Sequence, residues 1–314
     1  MTHFPSSRRA LLPLLLAIAV PALAAHVGCG QARDGDSPRA AAIEVTDDDG
    51  RTLRLDTPAS RVVSLIPART DILLALSAAD RLVARTQFDA DPRLASLPAI
   101  DEALTPSLEW LIGLRPDLVI AWPDQQNRTV VTRLVEIGIP VYASRVETLG
   151  ELRESVREIG RLVGRAAAAD SLNAELDSAI AQVSAAVRSR PPRSVLYLIG
   201  LDPPMAAGPG TFVDEMIQIA GGRNVMHDAP AGWPAVSVEE IVDRQPDLVL
   251  LAVSDTSDTR RRREFEESAG FRQLRAVAQG RVMLLDANLF NRPGPALAEA
   301  LRGLVSRIHP ELLN

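Results

Sequence analysis

Lysine is absent from this chain of 314 residues: all 34 basic residues are arginine, set against 40 acidic ones for a net charge of −6. An acidic chain with scattered arginines lacks the basic footprint of a nucleic-acid binder. Cysteine is reduced to Cys29, so no disulfide can form within the chain. Of four histidines, His3 and His26 precede the folded part, leaving His227 and His309. Two histidines with no nearby cysteine cannot make a standard zinc site alone. No Gly-x-Ser-x-Gly elbow, phosphate loop or Gly-x-Gly-x-x-Gly occurs. These absences make an exported α/β enzyme, acting through Asp71 or His227, the weaker class of function. Beyond the N-terminus no run approaches 18 apolar residues, so no membrane-spanning helix is expected.

The N-terminus has the form of an export signal. Arg8 and Arg9 precede an apolar run from Ala10 to Ala25, short and interrupted by proline. Ser7 to Leu12 loosely fits a twin-arginine signal, and ordinary secretory signals carry such pairs too. Cys29 follows in His26-Val27-Gly28-Cys29, similar to a lipobox but with His26 in place of the usual leucine. Lipidation of Cys29 is the favoured reading, because exported proteins rarely keep one exposed thiol. The alternative is cleavage after Ala24 or Ala25. Either way the protein is expected to work in the periplasm or anchored at the cell envelope. We divide the chain into a signal peptide (1–28), a flexible tether (29–42), an N-terminal lobe (43–165), a bridging helix (166–190) and a C-terminal lobe (191–314).

The folded part opens with alternating Ile43-Glu44-Val45-Thr46 and Arg51-Thr52-Leu53-Arg54-Leu55 around Asp47-Asp48-Asp49-Gly50, a hairpin signal. Calcium is an alternative for three aspartates, but the alternating loop spacing is missing. Strands are then expected at Val62–Ile66, Arg81–Ala84, Asp117–Ala121 and Val141–Ala143, with helices at Thr70–Leu76, from Ser107, and around Thr129–Ile137. The second half repeats the plan: strands at Val195–Ile199, Asp247–Leu251 and Arg281–Leu285, helices at Thr211–Ala220 and Ser237–Arg244. Leu114 to Trp122 (LRPDLVIAW) is echoed by Arg244 to Ala252 (RQPDLVLLA). The fold class is α/β: two Rossmann-like lobes with parallel sheets joined by a long rigid helix.

That joining helix follows a first one at Leu149–Val163, with Gly164 as a break. From Ala166 to Arg188, Leu172, Leu176, Ile180, Val183 and Val187 recur at spacings of 4, 4, 3 and 4. Such a helix would span about 35 Å, ending before Pro191. A strut between lobes is favoured over a helix packed on one lobe.

Aromatics make up only 4 % of the chain. Four lie after strands or in loops of the same edge: Phe88, Trp122, Trp233 and Phe290. Open α/β sheets bind ligands beyond the carboxyl ends of their strands. A cleft between lobes would gather these rings around a flat, partly apolar ligand; the alternative is that each ring plugs its own loop. Glu109 and Glu239 each stand two residues after a serine that could cap a helix, and Ser237 with Glu240 could form a capping box. Either acid alone is explained by the helix dipole. As a pair, one per lobe, they suit basic sockets on a two-fold symmetric partner. The Gly208-Pro209-Gly210-Thr211 stretch is better read as a helix entry than as an anion site. The Arg260–Arg263 run is better read as a solvated helix face.

Together, Val63-Ser64-Leu65-Ile66-Pro67, Ser107-Leu108-Glu109, the LRPDLVIAW stretch, Gly200-Leu201-Asp202-Pro203-Pro204, Ala220 to Val225 and Gly232 to Ser237 carry a resemblance. The chain resembles periplasmic substrate-binding proteins of ABC importers for cobalamin, haem and iron–siderophores, over about Ile43 to Pro310. It looks most like the cobalamin binders. The resemblance implies no catalysis and no resident cofactor, a cobalt corrinoid as ligand, an ABC importer permease dimer as partner, a monomer, and small closure. Glu109 and Glu239 match the acids that dock on permease arginines. Trp122 and Trp233 match cleft tryptophans, and Phe88 an aromatic that is often tyrosine. Met205 replaces an aromatic, Phe290 falls in the last cleft loop, and Pro67 joins the expected ligand-binding set. The alternative ligands are haem, with His227 as axial candidate, or a siderophore, with Arg69 and Arg85 converging.

Overall fold

The computed structural model describes residues 42–100, 106–122, 124 and 127–313. The export signal, Cys29 and nearly all of the tether lie outside the described residues. The described part opens with the expected hairpin, Ile43–Thr46 antiparallel to Thr52–Leu55. Its turn is organised by Asp47, whose carboxylate accepts from the backbone N–H groups of Asp49 and Arg51 and pairs with the Arg51 guanidinium at 2.8 Å. It also accepts from the Ala143 N–H, which fastens the hairpin to the next sheet. Gly50, at φ +76°, supplies the left-handed residue the turn requires.

Two parallel sheets follow. In the first half, Leu118–Ala121 lies between Val62–Ser64 and Val141–Ala143. In the second, the order is Gly222–Asn224, Arg193–Leu201, Leu248–Val253, Val282–Asp286, with Pro204–Ala206 antiparallel to Arg193–Leu201. Each sheet is buried on both faces, so its strands are continuous apolar runs. Within those runs the faces still alternate. Leu118 and Ile120 join one core with Leu248 and Leu250, while Val119 and Ala121 face a separate cluster in the first half and Val249 and Leu251 another in the second. The shared core therefore lies between the sheets, around the long helix.

That helix runs Ala166–Val187, about 33 Å at 1.5 Å per residue. It packs on Leu149–Leu162 from the first half and on Leu297–Ile308 from the second. Leu172, Leu176, Val183 and Val187 are buried along it, so the stripe contacts both halves. The approach to Leu149–Leu162 is close: a Cβ on Gly160 would lie 2.5 Å from the Ala169 Cβ. Among the described residues no helix is long and apolar enough to cross a membrane.

Three local expectations are corrected. Arg81–Ala84 is not a strand: Ala79–Arg81 is a 3-10 turn, Leu82 makes a single bridge to Val62, and the strand is Arg85–Thr86. The first strand ends at Ser64, because Pro67 starts the helix Pro67–Ala75. Ser237 caps its helix by accepting from the Glu240 N–H at 3.0 Å, but the Glu240 carboxylate pairs with Arg244 instead of closing a capping box.

Candidate functional site: the cleft

The strand ends of both halves open onto one cavity of about 400 Å³. From the first half it is lined by the turn Ile66-Pro67-Ala68-Arg69, by Trp122, and by Val146 and Glu147. Trp122 follows directly on Leu118–Ala121 and is partly exposed. Its carbonyl is pinned by Asn127 Nδ2 at 2.6 Å and by the Asp124 N–H at 3.0 Å.

From the second half come Ile199, Phe212, Trp233 and the turn Asn291-Arg292-Pro293. Two loops zip together to place Trp233. The Ala206 N–H donates to the Pro234 carbonyl, the Gly208 N–H to the Gly232 carbonyl, and the Gly232 N–H to the Pro209 carbonyl. A Cβ on Gly208 would meet the Pro230 carbonyl oxygen at 2.6 Å, so glycine is required for this approach. Trp233 leans on the buried Tyr197 ring, centroids 6.4 Å apart, and the Tyr197 hydroxyl donates to Asn291 Oδ1 at 2.7 Å. Thr211 accepts from the Asp214 N–H and opens the helix that carries Phe212, so the glycine-rich stretch is a helix entry.

Charge enters this apolar cleft in few places. Arg69 is fully buried, and burial lowers its guanidinium to about 10, still a cation at neutral pH. Glu147 is raised, by burial first and then by Glu151. Arg292 bridges the halves: it reaches Asn288 at 2.7 Å, the Phe88 carbonyl at 3.3 Å and Asp71 at 4.0 Å. Burial raises the Asp71 carboxyl, against the opposing pull of Arg292. A further tie is the Leu149 N–H, which donates to Glu215 at 2.8 Å.

Pro67, Trp122 and Trp233 therefore meet at one cavity; the other three expected ligand contacts do not line it. Phe290 lies in the short helix Ala287–Phe290, 2 % exposed, with Arg307 over its ring. The chain turns inward after its strand, and the ring is packed under the last helix. Phe88 is 55 % exposed; its backbone is held by the Thr86 hydroxyl, which accepts from its N–H at 3.2 Å, and by Arg292 at its carbonyl, while the ring stands out from the cavity lining. Met205 sits partly exposed on the antiparallel strand Pro204–Ala206. Neither His227 nor Arg85 is a lining residue, so Arg69 and Arg85 do not converge there. Ile199, Phe212 and Val146 went unnoticed in the sequence; the one available signal was a glycine-rich helix entry directly before Phe212.

Glu109 and Glu239 are both exposed, each at the second position of a helix capped by serine, Leu108–Gly113 and Val238–Arg244. The Glu109 carboxyl is held below its usual range by its own backbone N–H and by the Ser107 hydroxyl. Among the described residues, no cluster of three His, Cys, Asp or Glu side chains is disposed to hold a metal.

Residues 62–289 match the family described as periplasmic binding protein. The chain belongs to this family. It is 33 % identical over 290 residues to a cobalamin-binding protein of Halobacterium salinarum, covering 88 % of this chain and 78 % of that one. A vitamin B12-binding protein of Vibrio cholerae is 25 % identical over 245 residues, covering 78 % and 87 %. Among solved structures, the haem-binding protein RhuT of Roseiflexus superposes with a TM-score of 0.72 at 26 % identity, covering 81 % of this chain and 99 % of that one.

Proposed function

We propose that this is an exported substrate-binding protein that captures a corrinoid, cobalamin or a relative, in the cleft and delivers it to an ABC importer. The observation that carries the reading is one cavity faced by Trp122 from one half and Trp233 from the other, in a chain one third identical to a cobalamin-binding protein. A corrinoid is larger than a cavity of 400 Å³, so the cleft clasps part of the macrocycle, with flat apolar faces against the two indoles. No catalytic step is needed. The long helix, packed on both halves, limits closure to small movements.

Glu109 and Glu239, one exposed acid per half, are the docking points on the permease, and Cys29 carries a lipid that keeps the protein at the membrane. A haem is the second reading, favoured by the likeness to RhuT.

Titration of purified protein with cyanocobalamin, cobinamide, haemin and a ferric siderophore, followed by tryptophan fluorescence, tests the cargo. Quenching by a corrinoid at the lowest concentration is expected; no quenching by any corrinoid removes the reading. A Glu109→Ala, Glu239→Ala double variant should bind ligand normally and fail in uptake. Unchanged uptake would refute the docking role.

A further inference from the structure

Arg69 is the largest fully buried side chain of the described residues, and it lines the cleft. Two of its three nitrogens are spent on the protein. Nε donates to Ser144 Oγ at 2.8 Å in the first half, and Nη1 reaches the Pro293 carbonyl of the second at 3.4 Å. Nη2 is buried and has no hydrogen-bond partner. Both acceptors are neutral, and Arg69 enters no ion pair among the described residues; the Asp48 carboxylate acts on it only from beyond ion-pair distance and leaves Nη2 without a partner. A guanidinium taken out of water without an anion is costly, and proteins ordinarily pair or neutralise such a charge. The other charges at the cleft do not neutralise it. Arg292 carries the same sign and is engaged with Asp71, Asn288 and Phe88, and Glu147, which also lines the cleft, forms no ion pair with Arg69.

We infer that Arg69 is an anion-recognition point, whose Nη2 takes an acidic oxygen of the ligand, a carboxylate or a phosphodiester. This rests on the corrinoid reading and sharpens it: the cleft selects corrinoids that carry an acid over those amidated throughout. In a low-dielectric site one charge-assisted hydrogen bond discriminates strongly, by about tenfold to a hundredfold.

Three corrinoids separate the possibilities. Dicyanocobinamide has no acid, cobyric acid has one carboxylate in place of its terminal amide, and cyanocobalamin has a phosphodiester. The wild type should bind at least one acid-bearing probe about tenfold or more tighter than dicyanocobinamide, and which one names the source of the oxygen. Arg69→Gln should bring that preference to within about twofold, the ratio of the acid-bearing probe to dicyanocobinamide being the readout. Ser144→Ala, which removes only the structural contact, should keep the preference. Equal affinity of the wild type for all three probes overturns the inference, and so does an equal loss for all three in Arg69→Gln. Should Arg69→Gln not fold, Arg69→Lys, which keeps the charge, must still favour the acid. If no corrinoid binds, the corrinoid reading fails by itself. Haemin against its dimethyl ester then decides the inference in the same way, and failure of haemin to bind overturns it too.

Discussion

The two halves solve one construction problem with the same residues. In the first, the helix Leu108–Gly113 ends, Arg115 turns left-handed at φ +48°, Pro116 follows, and Asp117 precedes the strand Leu118–Ala121. In the second, Val238–Arg244 ends, Gln245 turns left-handed at φ +43°, Pro246 follows, and Asp247 precedes Leu248–Val253. Each aspartate then ties down the neighbouring strand. Asp117 accepts from the backbone N–H groups of Ser60 and Arg61, and Asp247 from the N–H and hydroxyl of Ser194. The halves part company at the far end of the strand. The first stops after four buried residues and delivers Trp122 to the cleft; the second continues to a partly exposed Val253, and its tryptophan arrives from another loop. What repeats is the anchoring of the strand, and what differs is what the strand presents to a ligand.

The comparison breaks most heavily at the strand centres. Ile120→Ala and Leu250→Ala, both fully buried in the shared core, should each cost about 2–5 kcal/mol in denaturant unfolding. A large cost in one half and almost none in the other would show that the halves do not depend on the shared core alike. Next come the anchors. Asp117→Ala and Asp247→Ala should each lose about 1–3 kcal/mol, since both leave backbone donors without their acceptor.

The second anchor also has a pH signature. Burial opposes ionisation of Asp247, but the Ser194 hydroxyl and N–H outweigh it and hold its carboxyl below the ordinary value. Its contribution is therefore complete above the unfolded carboxylate range and is lost as pH falls through the lowered value. Asp247→Asn should be less stable at neutral pH and show a shallower loss toward acid; an unchanged acid slope would refute that assignment. The smallest effect is expected at the left-handed residues. Arg115→Gly should stabilise by about 0.5–1 kcal/mol in melting experiments. Gln245→Gly should gain less, because the Gln245 side chain accepts from the Arg275 N–H at 3.1 Å.

Much of this was legible in the sequence. The echo, the hairpin and the five-residue stripe of the long helix are local periodicities, set by how side chains alternate on strands and recur on helices. The cleft was half legible. Pro67, Trp122 and Trp233 line it, yet Phe290 follows its strand in the same manner and is buried beneath a helix that begins at Leu297.

Arg69 shows the limit most clearly. The resemblance named it together with Arg85 as a siderophore contact, but nothing in the run Ile66-Pro67-Ala68-Arg69-Thr70 tells the buried cleft arginine from the other, because its partners are Ser144, 75 residues on, and Pro293, 224 residues on. The sequence by itself determined the elements, their order and the doubled scaffold, because propensity, periodicity and capping act over a few residues. Only the tertiary structure decided which side chains face the cleft and which charge is left with a donor to spare, because burial and hydrogen-bond partners come from chain segments far apart.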